Sequence, residues 1–263
     1  MGPLGGKRAL VCGGTQGIGR ACAFEFARLG AQVTLLARDE ETLRRVRNEL
    51  DAARGGPAGH DYLRGDFGEP ESVRAVVARH VERTGPVEIL LNNTGGPQAG
   101  PIVEASPDAF LSAFSAHLIG NQVLVQTLIP GMKRAGYGRI INIVSTSVRQ
   151  PIQGLGVSNT IRGAVASWAK TLAGELAPFG ITVNNVLPGA TATERLRSLI
   201  RSKARAAGAG EDEVERQMRS EIPMGRFAAP EEIAAAAGFL ATPAAAYITG
   251  VSLPVDGGRI ACL

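Results

Sequence analysis

Seven short apolar runs alternate with stretches of helical spacing from one end of the chain to the other. "RALVC" (8–12), "QVTLLA" (32–37), "HDYLRGD" (60–66), "VEILLNN" (87–93), "GRIINIVS" (138–145), "ITVNNVLPG" (181–189) and "VSLPVDGG" (251–258) read as strands. Residues 17–30, 39–53, 69–85, 106–135, 156–178, two stretches within 193–221, and 230–243 read as helices. A helix between successive strands returns the chain to the same edge of a sheet, so neighbouring strands run parallel. The expected architecture is α/β: a doubly wound, seven-stranded parallel sheet with helices on both faces. No linker divides the chain, so residues 1–263 form a single domain. Ser106 and Pro107 mark one helix start as N-cap and first helical residue. The 39–53 helix places acids first and bases later, which suits the helix dipole.

Composition removes several function classes. Of 263 residues, 44% are apolar and 20% charged, and no apolar run is long enough to span a bilayer. "MGPLGGKRALVC" lacks the apolar core of a signal peptide, so a cytoplasmic protein is expected. Cys12, Cys22 and Cys262 have no disulfide or metal spacing, and His60, His80 and His117 are scattered. Reduced thiols and no metal site follow. The net charge of +4 owes much to "ERLRSLIRSKAR" (194–205), where five bases meet one acid. A solvated helix face explains this run, and attraction for an anionic substrate is the sharper alternative. Nucleic acid fits poorly, because no aromatics interleave the arginines.

"CGGTQGIG" (12–19) joins the first strand to the first helix. Gly13 permits the tight turn, while Gly17 and Gly19 allow close approach of backbone, helix and pyrophosphate. The helix N-terminus then receives phosphate charge. Three residues separate Gly13 from Gly17, wider than the usual dinucleotide-binding fingerprint.

That wider spacing resembles the short-chain dehydrogenase/reductase family, and in particular its 3-oxoacyl-acyl carrier protein reductase-like members. "NNTG" (92–95) is similar to the family's Asn-Asn-Ala-Gly element, "LPGATAT" (187–193) to its Pro-Gly element, and residues 225–258 to its C-terminal stretch. The resemblance implies a Rossmann fold and a carbonyl–alcohol oxidoreductase. It also implies a homotetramer, with the helices after the fourth and fifth strands and the C-terminal strand at interfaces. Cofactor contacts would come from Gly13, Thr15, Gln16, Gly17, Ile18, Asp66, Phe67, Asn93, Gly95, Pro188, Gly189 and Thr191. An acid at the end of the second strand would select NAD(H). Here that strand ends in Ala37 and Arg38, and a guanidinium grips a 2′-phosphate. NADP(H) is therefore favoured, while Asp39, the next residue, keeps NAD(H) open.

The family's acid–base set is Asn, Ser, Tyr and Lys. Ser145 matches the serine. Thirteen residues on, where the tyrosine belongs, stands Ser158, and the lysine position four further holds Arg162. His117 occupies the asparagine position. Ketone reduction needs a proton as hydride arrives, and a lysine-assisted tyrosine supplies it. A serine hydroxyl is a far weaker acid, and Arg162 stays protonated, although it can still bond the nicotinamide ribose. His117, with an ordinary pKa near 6.5, is the alternative donor; otherwise it is a helix histidine satisfied by a backbone carbonyl. Tyr62, Tyr137 and Tyr247 read as packing or turn residues. Lys170 lies two turns beyond Arg162, roughly 12 Å along the axis, too far to replace it. Arg149 is a loop arginine or an anion contact.

Two function classes follow: an NADP(H)-dependent oxidoreductase with remodelled proton chemistry, or a nucleotide-binding sensor or partner subunit with little turnover. Residues 190–225 read as a mobile substrate lid, with Arg195, Arg197 and Arg201 as candidates to meet an anionic, small-molecule carbonyl or alcohol.

Overall fold

The computed structural model describes residues 2–54 and 59–262; Met1, residues 55–58 and Leu263 lie outside the described residues. The strands are β1 (Arg8–Cys12), β2 (Gln32–Ala37), β3 (Asp61–Arg64), β4 (Ile89–Asn92), β5 (Gly138–Ile143), β6 (Ile181–Pro188) and β7 (Ser252–Val255). They form one seven-stranded sheet in the order β3-β2-β1-β4-β5-β6-β7, with every neighbouring pair parallel. The helices are α1 (Gly17–Arg28), α2 (Glu40–Arg54), α3 (Pro70–Thr84), α4 (Pro107–Phe114), α5 (Gly120–Ala135), α6 (Gly156–Leu176), α7 (Glu194–Ala207), α8 (Glu211–Ser220) and α9 (Pro230–Ala241).

Alternation along each strand divides the core in two. Ala9 and Val11 of β1 face a cluster built with Phe26 of α1, Leu43 and Val46 of α2, and Ile233 and Leu240 of α9. Leu10 and Cys12 face the other side, with Val73 and Val77 of α3, Leu124 and Leu128 of α5, and Leu172 of α6. Strands buried on both faces need apolar side chains at odd and even positions alike, which is why they read as continuous apolar runs. Strand order reverses between β1 and β4, opening a crevice at their carboxyl ends where ligands of such folds bind.

One polar line crosses this core. Asn92 Nδ2 donates to Asn142 Oδ1 at 2.8 Å, Asn142 Nδ2 to Asn185 Oδ1 at 2.9 Å, and Asn185 Nδ2 to Ser252 Oγ at 3.1 Å. The three asparagines are buried, and the ladder spans β4 to β7. Of the three amide oxygens, those of Asn142 and Asn185 accept within the ladder, while Asn92 Oδ1 has no hydrogen-bond partner among the described residues.

The stretch read as one helix over 106–135 is interrupted. Ser106 Oγ accepts from the Ala109 N–H at 3.2 Å and Pro107 opens α4, as the capping residues require. Between α4 and α5, however, Ser115–Ile119 form a π turn carrying His117. Gly120 then opens α5, and a Cβ there would lie 3.2 Å from the Phe67 ring.

Candidate active site

The cofactor side is made mostly of backbone. Gly13 adopts φ +58°, and a Cβ on it would meet Asn93 Nδ2 and Asn93 O at 2.7 Å. A Cβ on Gly19 would stand 2.1 Å from the Gly13 carbonyl oxygen. The turn therefore admits only hydrogen at both places. Asn93 also pins it, Nδ2 donating to the carbonyls of Cys12 at 3.3 Å and Gly13 at 3.4 Å. Thr15 and the exposed Gln16 continue the turn, and Gln16 precedes the first turn of α1 without capping it by side chain. The α1 N-terminal N–H groups at Gly17 and Ile18 thus present a cradle that fits a pyrophosphate. Across it lie Ala192, Thr193, Glu194 and Arg197, which with Gly17, Arg20 and Glu231 line a cavity.

At the end of β2, Arg38 is exposed and forms no ion pair among the described residues. Asp39 is directed elsewhere: its Oδ1 accepts from the Thr42 N–H at 2.7 Å and caps α2. Bonding with Thr42 holds its carboxyl below the usual carboxylate range. Arg64, which the sequence reading did not single out, ends β3 opposite Ala37 and donates Nε to the Arg38 carbonyl at 3.3 Å. Both side chains are exposed where β2 and β3 end, and that of Arg64 is tied to the Arg38 main chain. Asp66 is exposed, its Oδ1 accepting from the Gly68 N–H, and Phe67 packs back onto the core.

The Pro-Gly element leaves β6 under tight restraint. The Gly189 N–H donates to the Val255 carbonyl at 3.0 Å, and a Cβ on Gly189 would stand 2.7 Å from Asp256 Cα. Thr191 is buried, bridges in parallel to Ala228, and donates Oγ1 to the Gly189 carbonyl at 3.0 Å. Pro188 closes β6 beside Val255.

Of the residues at the acid–base positions, Ser145, Arg162 and His117 are placed where β4 and β5 end. Ser145 Oγ accepts from the Ser147 N–H at 3.0 Å, which leaves its own proton available to donate. Ser158 and Arg162 sit one turn apart on α6. Arg162 Nη1 donates to the Ile143 carbonyl at 2.7 Å. Burial and the nearby Arg195 push the guanidinium down to about 10, so it remains cationic at neutral pH.

His117 is buried, and its Nδ1 lies 2.5 Å from Thr94 Oγ1. Burial, and then the charge of Arg162, push its pKa down to about 3, with a backbone hydrogen bond to Gly95 acting in the opposite direction. This corrects the expectation of an imidazole titrating near 6.5: at neutral pH His117 is uncharged. Thr94 stands where the family element has alanine, so two departures from the family pattern touch each other. The threonine in "NNTG" was the available signal, and sequence analysis passed over it in matching the element. The three tyrosines lie elsewhere: Tyr137 donates its hydroxyl to the Ala241 carbonyl, Tyr247 is fully exposed, and Tyr62 ends up on β3. Lys170 donates to the Gly250 carbonyl at 3.1 Å.

Residues 190–225 hold α7 and α8, packed on each other through Leu196, Ile200, Val214 and Met218. Of the three arginines singled out there, Arg197 and Arg201 pair with Glu194, at 3.4 and 2.8 Å. Arg195 alone crosses to the loop after β4, where its Nη2 donates to the Pro97 carbonyl at 2.6 Å.

Comparison with known proteins agrees with this geometry. The family described as enoyl-(acyl carrier protein) reductase matches residues 13–259. The 3-oxoacyl-[acyl-carrier-protein] reductase of Vibrio cholerae is 33% identical over 263 aligned residues, covering 97% of this chain and 98% of its own. The crystal structure of L-sorbose reductase from Gluconobacter frateurii, complexed with NADPH and L-sorbose, superposes with a TM-score of 0.92 at 31% identity and covers 98% of both chains. The NADPH-dependent reductase YwfH, involved in bacilysin biosynthesis, gives a TM-score of 0.92 at 28% identity over 98% of this chain and 99% of its own. With the doubly wound sheet, the glycine cradle and these matches, the chain belongs to the short-chain dehydrogenase/reductase family of oxidoreductases.

Proposed function

We propose that this protein is an NADP(H)-dependent oxidoreductase that interconverts a carbonyl and an alcohol, with a proton path that uses neither a tyrosine nor a lysine. The observation carrying the cofactor half of this reading is the division of labour after β2. Asp39 is occupied in capping α2, while Arg38 and Arg64 are both exposed at the ends of β2 and β3. Two cations, with the one neighbouring carboxylate turned to the head of α2, favour a ribose 2′-phosphate. The solved relatives described with NADPH support the same choice. Gly13, Thr15, Gln16, Gly17 and Ile18 would hold the pyrophosphate, Asp66, Phe67, Asn93 and Gly95 the adenosine side, and Pro188, Gly189 and Thr191 the nicotinamide end. When bound, the cofactor exchanges the hydride.

The chain's own residues then have to manage charge on the substrate oxygen. Ser145 offers a hydroxyl proton, since its oxygen already accepts from Ser147. Arg162 fixes a positive charge at the end of β5, and a preorganised cation in a low-dielectric site stabilises a developing alkoxide. Neutral His117, held by Thr94, orients rather than protonates. Ser158 is not the acid, and water completes proton transfer. The 190–225 segment closes the site as a lid. The assembly is a homotetramer, for which exposed Leu111 and Phe114 on α4 supply apolar surface, and light scattering on the purified protein checks it.

A second reading is favoured by the same Ser158–Arg162 pair: a nucleotide-binding sensor or partner subunit with little turnover. NADPH consumption against a panel of ketones and quinones, measured beside an NADPH binding titration, separates the two. Turnover supports the enzyme, whereas binding without consumption supports the sensor. Fast ketone reduction abolished by Ser158→Ala, with His117→Ala fully active, would overturn the proposed proton path.

A further inference from the structure

Three side chains converge on the ends of β4 and β5 from different elements. His117 reaches Thr94 from the π turn, Arg162 reaches the Ile143 carbonyl from α6, and Arg195 reaches the Pro97 carbonyl from α7. The loop 94–97 is thus held on one side by a neutral imidazole and on the other by a guanidinium; a Cβ on Gly96 would lie 3.3 Å from Arg195 Nη2. Asn92 pairs with Asn142 across the strands, so the carbonyl of the next residue on β5, Ile143, opens beside the start of this loop.

Charge makes the arrangement unusual. Neither Arg162 nor Arg195 has a carboxylate partner among the described residues, although the neighbouring Arg197 and Arg201 both take Glu194. The two guanidiniums sense each other, and Arg162 depresses the charged form of His117. Like charges near one another are unfavourable, most of all for Arg162, which is partly withdrawn from water while Arg195 is exposed, and an anion between them relieves this. Each arginine also spends one N–H group on a backbone carbonyl, which fixes its fork while leaving other donors for a ligand.

We infer that Arg162 and Arg195 form a carboxylate receptor, so that the substrate is a carboxylate-bearing carbonyl compound. The inference rests on the oxidoreductase reading for the word substrate, but the receptor itself does not. The carboxylate sits between the two forks, one contributed by the fixed helix α6 and one by the α7 segment. Its arrival therefore ties α7 to the sheet and joins recognition to closure.

Calorimetric titration of the intact protein with acetoacetate and with its neutral ester, methyl acetoacetate, tests this, each run with and without saturating NADP+. Acetoacetate is expected to bind at least about tenfold more tightly than the ester in the NADP+ complex. Arg195→Gln, which keeps an N–H donor for the Pro97 carbonyl at an exposed position, should remove that preference in a variant that still folds and binds NADP+. Arg162→Gln should remove it too, and if that variant does not fold the Arg195 variant decides alone. Equal binding of acid and ester, binding of neither, or a preference that survives Arg195→Gln would overturn the receptor. Failure to bind NADP+ at all would instead overturn the oxidoreductase reading.

Discussion

The two halves of the crevice obey different rules. The β1–α1–β2 half is made of backbone: a left-handed glycine at 13, a hydrogen at 19 where any side chain would strike the Gly13 carbonyl, and free N–H groups at the head of α1. The half at β4, β5 and α6 is made of side chains, and there Ser158, Arg162, His117 and Thr94 all depart from the family pattern. A backbone site is kept by steric exclusion, so any change of residue type is penalised by the fold itself. A side-chain site can be rewritten while the fold persists. The two departures at Thr94 and His117 lie in contact at 2.5 Å, so the groups that differ from the family pattern satisfy one another.

The sharpest way to break this contrast is to restore the family's pair. Ser158→Tyr with Arg162→Lys should raise ketone reduction by about 10² to 10⁴, the usual range for a general acid. No increase, in a variant that still binds NADPH, would mean that the substrate half is altered well beyond these two side chains.

Acid sensitivity comes next in size. His117 is held neutral with a folded pKa of about 3, against an ordinary value near 6.5. Between these values the unfolded chain binds the proton and the native protein does not, so stability falls as pH drops through that window. At roughly 1.4 kcal/mol per pH unit, the loss reaches several kcal/mol at the acid end. Denaturant midpoints across pH 7 to 4 should show a shallower slope in His117→Asn than in the parent protein. Parallel slopes would remove the buried neutral imidazole from the account.

On the backbone side, Arg38→Asp should weaken NADPH binding by about 1.5 to 3 kcal/mol, the range for hydrogen bonds to charged groups. NADH affinity should hold or improve. Equal loss for both cofactors would show that Arg38 does not read the 2′-phosphate. The smallest effect belongs to Asp39→Ala, which uncaps α2 and should cost about 0.5 to 2 kcal/mol of stability. The ratio of NADPH to NADH affinity should not move. If it does, Asp39 is part of the cofactor site and not only a cap.

The same contrast explains what could be read from residue order. Strand–helix alternation, the Ser106 cap and the glycine turn are local, and each appears in the structure within a few residues of its expected bounds. The π turn at Ser115–Ile119 was not legible, because the apolar spacing of 106–135 reads as one continuous helix and does not mark an extra residue in a turn. Nor was the state of His117, whose pKa is lowered first by burial and then by Arg162, 45 positions away. The basic run at 194–205 looked uniform in sequence. Only folding shows that Glu194 occupies Arg197 and Arg201 and leaves Arg195 to reach Pro97.

The amide ladder from Asn92 through Asn142 and Asn185 to Ser252 bears on how the crevice keeps its shape. Strand register has a period of two, and a slip of one residue sends every side chain to the opposite face. In a sheet apolar on both sides, such a slip between aliphatic strands exchanges one greasy contact for another. Between these strands it would strand amides in hydrocarbon. The ladder therefore works as a vernier, with graduations at 92, 142 and 185 that permit one alignment. Because the marks at 92 and 142 lie near the ends of β4 and β5, they set the alignment from which Thr94, Ile143 and Ser145 follow.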